Sequence, residues 1–450
     1  MVGAGRRAAF ALVVMLVGAF AASAAQATDL ENEIQSLVGG HPQVRAAKEN
    51  VDSANAAINA ARSQFYPQAH VTGNTGPEHW NNSALVQTNR APITAEGYQL
   101  GLTVTQHLYD GNATFSAVDA AIDNKAVTES TLRLTRQTTI LEGVNAYLDV
   151  LRQSQLVKLS RTDEQRLQTQ LHLEDERVQR GSGVAVDVLA AKHRLQLAKE
   201  RRVGYEGALD QAIDRFQQVF GHGPDELGDR VPEPPAALVP ESVDEAQKIA
   251  LAENPSVEAA KRTVTLSGEK VNTARSGYFP TLDFVSKIDD SKNRDSIVGR
   301  SHDWEFLLQL NWDLFNGFKT QSQVSQAAHD LAASRDTASQ AERKASEAVR
   351  LAWSQVQTAR ERVAILENAV NLAYEVWNSR QKMRESGKAT VIDVLDAETD
   401  ITNAQITYLT ATFDRKIATY QLLFSLGRLE SGNLDSPTDA GSAAPQPTPK

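Results

Sequence analysis

This chain is written twice, and that constrains its fold more than any other feature. The segment from Tyr98 to Gly111, YQLGLTVTQHLYDG, recurs in pattern from Trp304 to Gly317 as WEFLLQLNWDLFNG, 206 residues later. The same offset carries Asp187-Val188-Leu189 onto Asp393-Val394-Leu395, and Gly221 onto Gly427. Upstream, His41-Pro42 pairs with Asn254-Pro255, and Phe65-Tyr66-Pro67 with Tyr278-Phe279-Pro280, at an offset of 213. One insertion of seven residues in the first half separates the two registers. A period of this length is too coarse for a solenoid. It implies a protomer built as two pseudo-equivalent halves.

The first residues read as an export signal. Arg6 and Arg7 supply the positive region, Ala8 to Phe20 an apolar run, and Ala25-Gln26-Ala27 the small-x-small cleavage pattern. The run is shorter than the roughly 20 residues a helical span needs. The mature chain is expected to start near Thr28, with 1–27 as signal peptide. There is no cysteine, which excludes disulfides, thiolate metal sites, cysteine nucleophiles and a lipid anchor on an N-terminal cysteine. Losing Arg6 and Arg7 takes the formal charge from −10 to −12, which argues against nucleic acid as a partner. No later segment reads as a transmembrane helix, so membrane entry would require a closed β-barrel.

Each half reads as helix, strand, strand, very long helix, turn, long helix. Ala-rich helices at about 43–64 and 256–277 end at Pro67 and Pro280. In the second strand of each pair the alternation has period two. Tyr98, Leu100, Leu102, Val104 and Leu108 oppose Gln99, Thr103, Thr105 and His107. In the other half Trp304, Phe306, Leu308, Leu310, Trp312 and Leu314 oppose Glu305, Gln309, Asn311 and Asp313. At about 3.3 Å per residue, a tilted strand of this length crosses a bilayer. Polar loops are expected at about 74–97 and 289–302. The Pro-free stretches 112–180 and 318–385 would each be about 100 Å long at 1.5 Å per residue. Their apolar positions recur at helical spacing: Ile140, Val144, Tyr147 and Leu151 in one; Ile365, Leu372 and Val376, with Val363, Val370 and Trp377, in the other. The helices turn at Gly181-Ser182-Gly183 and Ser386-Gly387-Lys388 and run back to Gly221 and Gly427. The expected organisation is a first repeat over 28–224, a Pro-rich linker over 225–240, a second repeat over 241–428 and a disordered tail over 429–450.

No catalytic constellation stands out. Histidines occur singly, no Gly-rich phosphate loop follows a strand, and no metal-ligand spacing appears. The reading is therefore not an enzyme and without a cofactor. Asp393 and Asp396 share one helix face; such a pair without a third group is ordinarily a solvated face.

The order of elements resembles the outer membrane factors, the TolC-like family. The resemblance rests on the strand-to-helix junctions Leu108-Tyr109-Asp110-Gly111 and Leu314-Phe315-Asn316-Gly317, and on the helix starts Pro42 and Pro255. It also rests on the tips, Gly181 to Ala191 and Gly387 to Ala397, above all Thr390-Val391-Ile392-Asp393-Val394-Leu395-Asp396-Ala397. It spans about 29–428. It implies an α+β membrane protein of duplicated strand-strand-long helix-helix repeats, forming a homotrimer. Three protomers of four strands would close a twelve-stranded outer-membrane barrel continued by a periplasmic helical barrel. By resemblance, Asp393 and Asp396 form a ring at the periplasmic aperture with Asp187 and Arg384 as partners, and mutual repulsion would raise some of the acids' pKa values. In the first repeat only Asp187 persists; Ala190 stands where the second acid would be. Arg384 and Ala389 occupy two positions where the family's latch has an aromatic and a basic residue, so that latch is not carried over. Gly181, Ser182, Gly183, Ser386, Gly387 and Lys388 would dock a periplasmic adaptor joined to an inner-membrane transporter. Tyr98, Tyr109, Trp304 and Trp312 would sit at the interface with outer-membrane lipid. The implied function is a passive exit duct for type I protein secretion or small-molecule efflux. The competing reading is a periplasmic adaptor, which predicts one long helical hairpin flanked by β-rich domains.

Overall fold

The computed structural model describes residues 29–80, 92–224, 231–294, 297–432 and 434. The expected signal peptide at 1–27 lies outside them, as do 81–91 of the first polar loop, 225–230 of the linker and most of the tail. The first half runs α1 (Asp29–Gly40), α2 (Pro42–Arg62), β1 (Gln68–Trp80), β2 (Ile93–Tyr109), α3 (Ala113–Gln179) and α4 (Ala185–Phe220). The second runs α5 (Val243–Glu253), α6 (Pro255–Ser276), β3 (Thr281–Arg294), β4 (Ile297–Asn311), α7 (Lys319–Glu385) and α8 (Val391–Leu426). The duplication is kept to the residue in the long helices: α3 and α7 have 67 residues each, α4 and α8 have 36 each. Two helical hairpins and one sheet replace the single hairpin and flanking β domains that the adaptor reading expects.

Local chemistry repeats as well. Both strand-to-helix junctions place two successive residues at positive φ, Gly111-Asn112 and Gly317-Phe318. The next helix is then capped from the residue before the glycine. Asp110 accepts from the Thr114 N–H at 2.7 Å, and Asn316 Oδ1 accepts from the Thr320 N–H at 3.4 Å. The two glycines are not equally replaceable. Both have φ of 66°, so alanine at either incurs a left-handed penalty of about 1 kcal/mol. At 111 an added Cβ would also lie 2.8 Å from Phe279 Cβ and from the Ser276 carbonyl, whereas at 317 nothing lies within 4 Å. Gly111→Ala is therefore expected to lower the thermal midpoint clearly more than Gly317→Ala; equal midpoints would show that the 276–279 segment yields freely.

The chain forms two compact units. One contains the sheet, most of α2 and α6, and the strand-proximal parts of α3 and α7. Its four strands are antiparallel in the order β1-β2-β3-β4, leaving β1 and β4 as edges. Both pairs extend into the segments expected to be polar loops: β1 reaches Trp80 paired with Ile93, and Arg294 pairs with Ile297. Backbone ladder bonds continue there although the apolar alternation has ended, because pairing depends on the main chain and not on the side-chain pattern. One face carries Thr103, Thr105, His107, Asp283, Lys287 and Asp289, knit by Gln99 Nε2 to Asp289 at 2.8 Å and His107 Nδ1 to Asp283 at 2.6 Å. The other carries Leu100, Leu108, Phe284, Ile288, Trp304, Phe306, Leu308 and Leu310, all exposed in the single chain. A bulge between His107 and Tyr109 pairs Tyr109 with Leu282, moving it onto the apolar side against its sequence parity. Trp312 lies just past β4, its indole N–H donating to the Tyr278 carbonyl at 3.2 Å.

The second unit buries Leu30 and Ile34 of α1, Tyr147 and Leu148 of α3, Phe216 of α4, Ala246 of α5, Val349 and Val356 of α7, and Phe413 and Tyr420 of α8. The expected α3 stripe, Ile140, Val144, Tyr147 and Leu151, lies in this core. The expected α7 stripe does not: Ile365, Leu372 and Val376 are all exposed, at 68%, 58% and 52%. Their period is helical, but the face they mark is turned away from the chain's own core. The described part of the linker is docked, with Val231, Leu238 and Val239 against the core. Buried Lys416 holds it, donating to the Pro232 carbonyl at 3.0 Å and to Glu233. The start of the tail is also packed, contrary to expectation. Leu429 and Leu434 are buried, and Tyr420 Oη donates to the Leu434 carbonyl at 2.6 Å. Two leucines in a Ser/Pro-rich segment suffice to seat it, because each removes a full apolar side chain from water.

Candidate aperture and helical tips

Both tips are built the same way. At the end of α3 the N–H of Ser182 donates to the Arg177 carbonyl and that of Gly181 to Val178; at the end of α7 Lys388 donates to Met383 and Gly387 to Arg384. Gly181 and Gly387 take φ of 76° and 72°. These paired bonds absorb carbonyls that a helix end leaves unpartnered. The tip residues Gly181, Ser182, Ser386, Gly387 and Lys388 are exposed and Gly183 is partly covered.

The returning helices start differently. Thr390 caps α8 in a closed capping box: Thr390 Oγ1 accepts from the Asp393 N–H at 3.2 Å, and the Asp393 carboxylate accepts from the Thr390 N–H at 2.8 Å and its hydroxyl at 2.7 Å. The equivalent of Thr390 in α4 is Val184, which has no oxygen to offer, so Asp187 takes part in no such box. The Thr390 hydroxyl, then its N–H, and the Arg380 guanidinium 3.6 Å away hold the Asp393 carboxyl below the usual aspartate range. Within the protomer this shift is opposite to the rise that ring repulsion was expected to produce. The cause is local: the cap bonds are stronger to the ionised carboxylate than to the protonated acid and so favour the charged form. Asp396 pairs with Arg194 of α4, whose Nη1 also lies 3.3 Å from Thr399 Oγ1. The two acids thus have separate partners. Arg384 does not serve either acid. It pairs with buried Glu174 of α3, which also accepts from Gln170 at 2.9 Å.

Behind Asp396 lies a charged cluster that sequence reading missed. Asp163 of α3 is buried and accepts from Thr402 Oγ1 at 2.8 Å; Arg166 lies 3.5 Å and Arg201 3.9 Å from its carboxylate. Glu398 faces Arg166 at 3.8 Å. Burial pushes the Glu398 carboxyl up, with Asp163 adding to the rise and Arg166 opposing it. Asp163, Arg201 and Glu398 line a small cleft together with Arg194 and Leu197. Its acids lie 235 positions apart in the chain (163 and 398), so no spacing rule links them. Among the described residues no group of three or more His, Asp or Glu side chains could hold a metal ion, and no helix is long and apolar enough to cross a membrane.

The outer membrane efflux protein family matches residues 33–222 and 247–428, one stretch in each half. The outer membrane efflux protein BepC of Brucella suis is 27% identical over 74% of this chain and 73% of its own. The outer membrane protein TolC of Escherichia coli is 24% identical over 92% and 85%, and the alkaline protease secretion protein AprF of Pseudomonas aeruginosa 22% over 88% and 83%. Among solved structures, the outer membrane protein VceC of Vibrio cholerae superposes with a TM-score of 0.76 at 16% identity, covering 88% of this chain and 96% of that one. A membrane protein from Pseudomonas aeruginosa gives 0.77 at 20%, covering 88% and 93%. Both halves, with the sheet and the paired helical tips between their ends, are thereby accounted for, and the chain belongs to the outer membrane efflux protein family, as an exit duct of the outer membrane.

Proposed function

We propose that three copies of this chain close a twelve-stranded barrel in the outer membrane and continue it as a helical tunnel. The duct is passive, binds no cofactor and catalyses no reaction; an inner-membrane transporter supplies the energy and selects the cargo. The observation that carries this reading is the open four-stranded sheet with one apolar, exposed face. Edge strands cannot stay unpaired in lipid, and four strands cannot close alone. Three copies give twelve, an even number within the usual range. The exposed apolar residues of α7 and of α4, among them Leu372, Val376, Leu189 and Val203, give the helices a matching need for a neighbour.

At the tips, Asp393 and Asp396 of three copies bring six carboxylates around one axis, a ring that favours cations. Gly181, Ser182, Gly183, Ser386, Gly387 and Lys388 offer exposed turns to a periplasmic adaptor. Tyr98, Tyr109, Trp304 and Trp312 lie where belts of interfacial aromatics belong. Both efflux and protein secretion suit such a duct, since relatives named for each resemble the chain along most of its length.

The test is single-channel current in a planar bilayer, wild type beside Asp393→Ala/Asp396→Ala. The wild type should show a small cation-selective conductance blocked by multivalent cations from the periplasmic side. The double variant should lose both the selectivity and the block. Stable trimers with unchanged currents would discard the aperture assignment and keep the duct; folded protein that forms no channel would overturn the duct.

A further inference from the structure

β1 and β4 are edge strands in the single chain, and the duplication indicates what each would meet. β2 and β4 are equivalent at an offset of 206 residues, β1 and β3 at an offset of 213. The junction of β2 with β3 therefore has a counterpart, β4 of one copy against β1 of another, that no single chain can form. Both offsets hold in the structure where the strands pass into the helices. Gln106 Nε2 donates to the Phe65 carbonyl at 3.2 Å; their equivalents are Trp312 and Tyr278, and Trp312 Nε1 donates to the Tyr278 carbonyl at 3.2 Å. The end of β2 is paired with β3 as far as Tyr109, whereas β4 stops at Asn311. Leu314 and Phe315, the equivalents of Leu108 and Tyr109, are 80% and 76% exposed against 53% and 44%. What they lack is the neighbouring strand.

Carrying the β2–β3 register across gives the register of the missing junction. Thr105 opposite Val285 becomes Asn311 opposite Thr72, and Thr103 opposite Lys287 becomes Gln309 opposite Asn74. On the apolar face Gln106 opposite Phe284 becomes Trp312 opposite Val71, which is 65% exposed. Glu305 comes opposite Glu78, which already pairs with Arg294 inside the chain. One further pair stands out. Across β2 and β3, His107 Nδ1 lies 2.6 Å from Asp283 Oδ1. The equivalent of His107 is Asp313 and the equivalent of Asp283 is His70, so base and acid have changed places and the pair is kept. The chain holds nine histidines in 450 residues, so chance alone would seldom restore it. His70 and Asp313 are both exposed in the single chain and lie on the polar side of their strands.

We propose that Asp313 of one copy pairs with His70 of the next, inside the barrel where its strands pass into the helices. The pairing rests on the homotrimer reading above. Three copies then carry two His–Asp pairs each around the barrel mouth, one within the chain and one shared with a neighbour. The shared pair sets the register of the seam. Backbone ladder bonds alone tolerate slippage, and a slip that keeps both faces of a strand moves it by two residues. Asp313 would then face Gln68 or Thr72 and lose its imidazole. With the neighbour in place, residues 312–315 join the sheet as a continuation of β4, as their equivalents do in β2.

The chain has no cysteine, so introduced pairs report the register directly. Full-length His70→Cys/Asp313→Cys protein, oxidised in the outer-membrane fraction, should run as covalent dimers and trimers on a denaturing gel. Thr72→Cys/Asp313→Cys should link far less, since directly opposed Cβ atoms lie about 5 Å apart and diagonal ones about 7 Å. His107→Cys/Asp283→Cys should close its disulfide within the monomer. Lysine-reactive crosslinking of the same samples reports whether trimers exist at all. Trimers without the 70–313 disulfide would overturn the pairing and leave the trimer standing; monomers under both treatments would overturn the trimer and the pairing with it. The temperature at which the trimer separates into monomers gives a second measure. His70→Asp sets two carboxylates face to face and should lower it; His70→Asp/Asp313→His should return it to the wild-type value. Equal temperatures in the single and swapped variants would refute the pairing even if the cysteine variants fail to assemble.

Discussion

Phe306→Arg should abolish stable insertion into the outer membrane, while Gln309→Arg, three positions along the same strand, should insert normally. Phe306 is 61% exposed on the face that also carries Trp304, Leu308 and Leu310, with its ring 5.7 Å from that of Trp304 and 6.3 Å from that of Phe284. Gln309 lies on the opposite face, directly across from Asp283, so an arginine there gains a carboxylate neighbour. An arginine facing lipid near the bilayer midplane costs about 2–4 kcal/mol per copy. In a trimer that cost is incurred three times, enough to defeat assembly. The readout is the yield of heat-modifiable oligomer in the outer-membrane fraction. If both variants insert equally well, the Trp304 face does not meet lipid and the barrel reading fails with it.

The second large effect is expected at Arg384. Arg384→Ala leaves the buried carboxylate of Glu174 without its cross-helix partner; Gln170 at 2.9 Å and Arg177 at 3.4 Å are on the same helix as Glu174. Breaking a buried pair from one side costs up to roughly 3 kcal/mol, because the remaining charge is desolvated and keeps only the same-helix Arg177 and Gln170 as partners. Arg384→Ala/Glu174→Gln removes that stranded charge and should recover most of the loss. The pair ties the end of α7 to α3, so the single variant should also lower hydrogen-exchange protection at the α7 tip. Amide exchange rates like those of the wild type in the single variant would show that the pair does not hold the two helices together.

How far the sequence reaches can be judged residue by residue. The alternation of Leu100, Leu102 and Val104 against Thr103 and Thr105 gave the correct faces of β2, because side chains on a strand alternate regardless of what lies beyond it. Strict alternation carried one residue past Leu108 would set Tyr109 with Thr103 and Thr105, whereas the bulge sets it with Leu100; a bulge is an extra residue in one strand and is visible only against its partner. The tips were legible from Gly181 and Gly387, whose positive φ is a local demand. Ile365, Leu372 and Val376 were legible as a stripe but not as an exposed one. Periodicity tells that a face is apolar and not whether the same chain covers it. For Asp393 the sequence held the capping box as well, in the Thr390-x-x-Asp393 spacing; the reading as a bare acid overlooked it.

The sequence by itself determined the duplication, the order of the elements, the length of the long helices, the turn positions and the two faces of the strands, because each depends on a local period or on the conformational freedom of one residue. Only the tertiary structure decided the charged partners: Arg194 for Asp396, Glu174 for Arg384, and Asp163 for Thr402, which are 202, 210 and 239 residues apart. An ion pair needs only that two side chains arrive within a few ångströms, and many arginines and acids on these helices satisfy the pattern equally well. The packing of α7 and α8 onto α3 and α4 selects which of them meet, and that selection is a property of the fold.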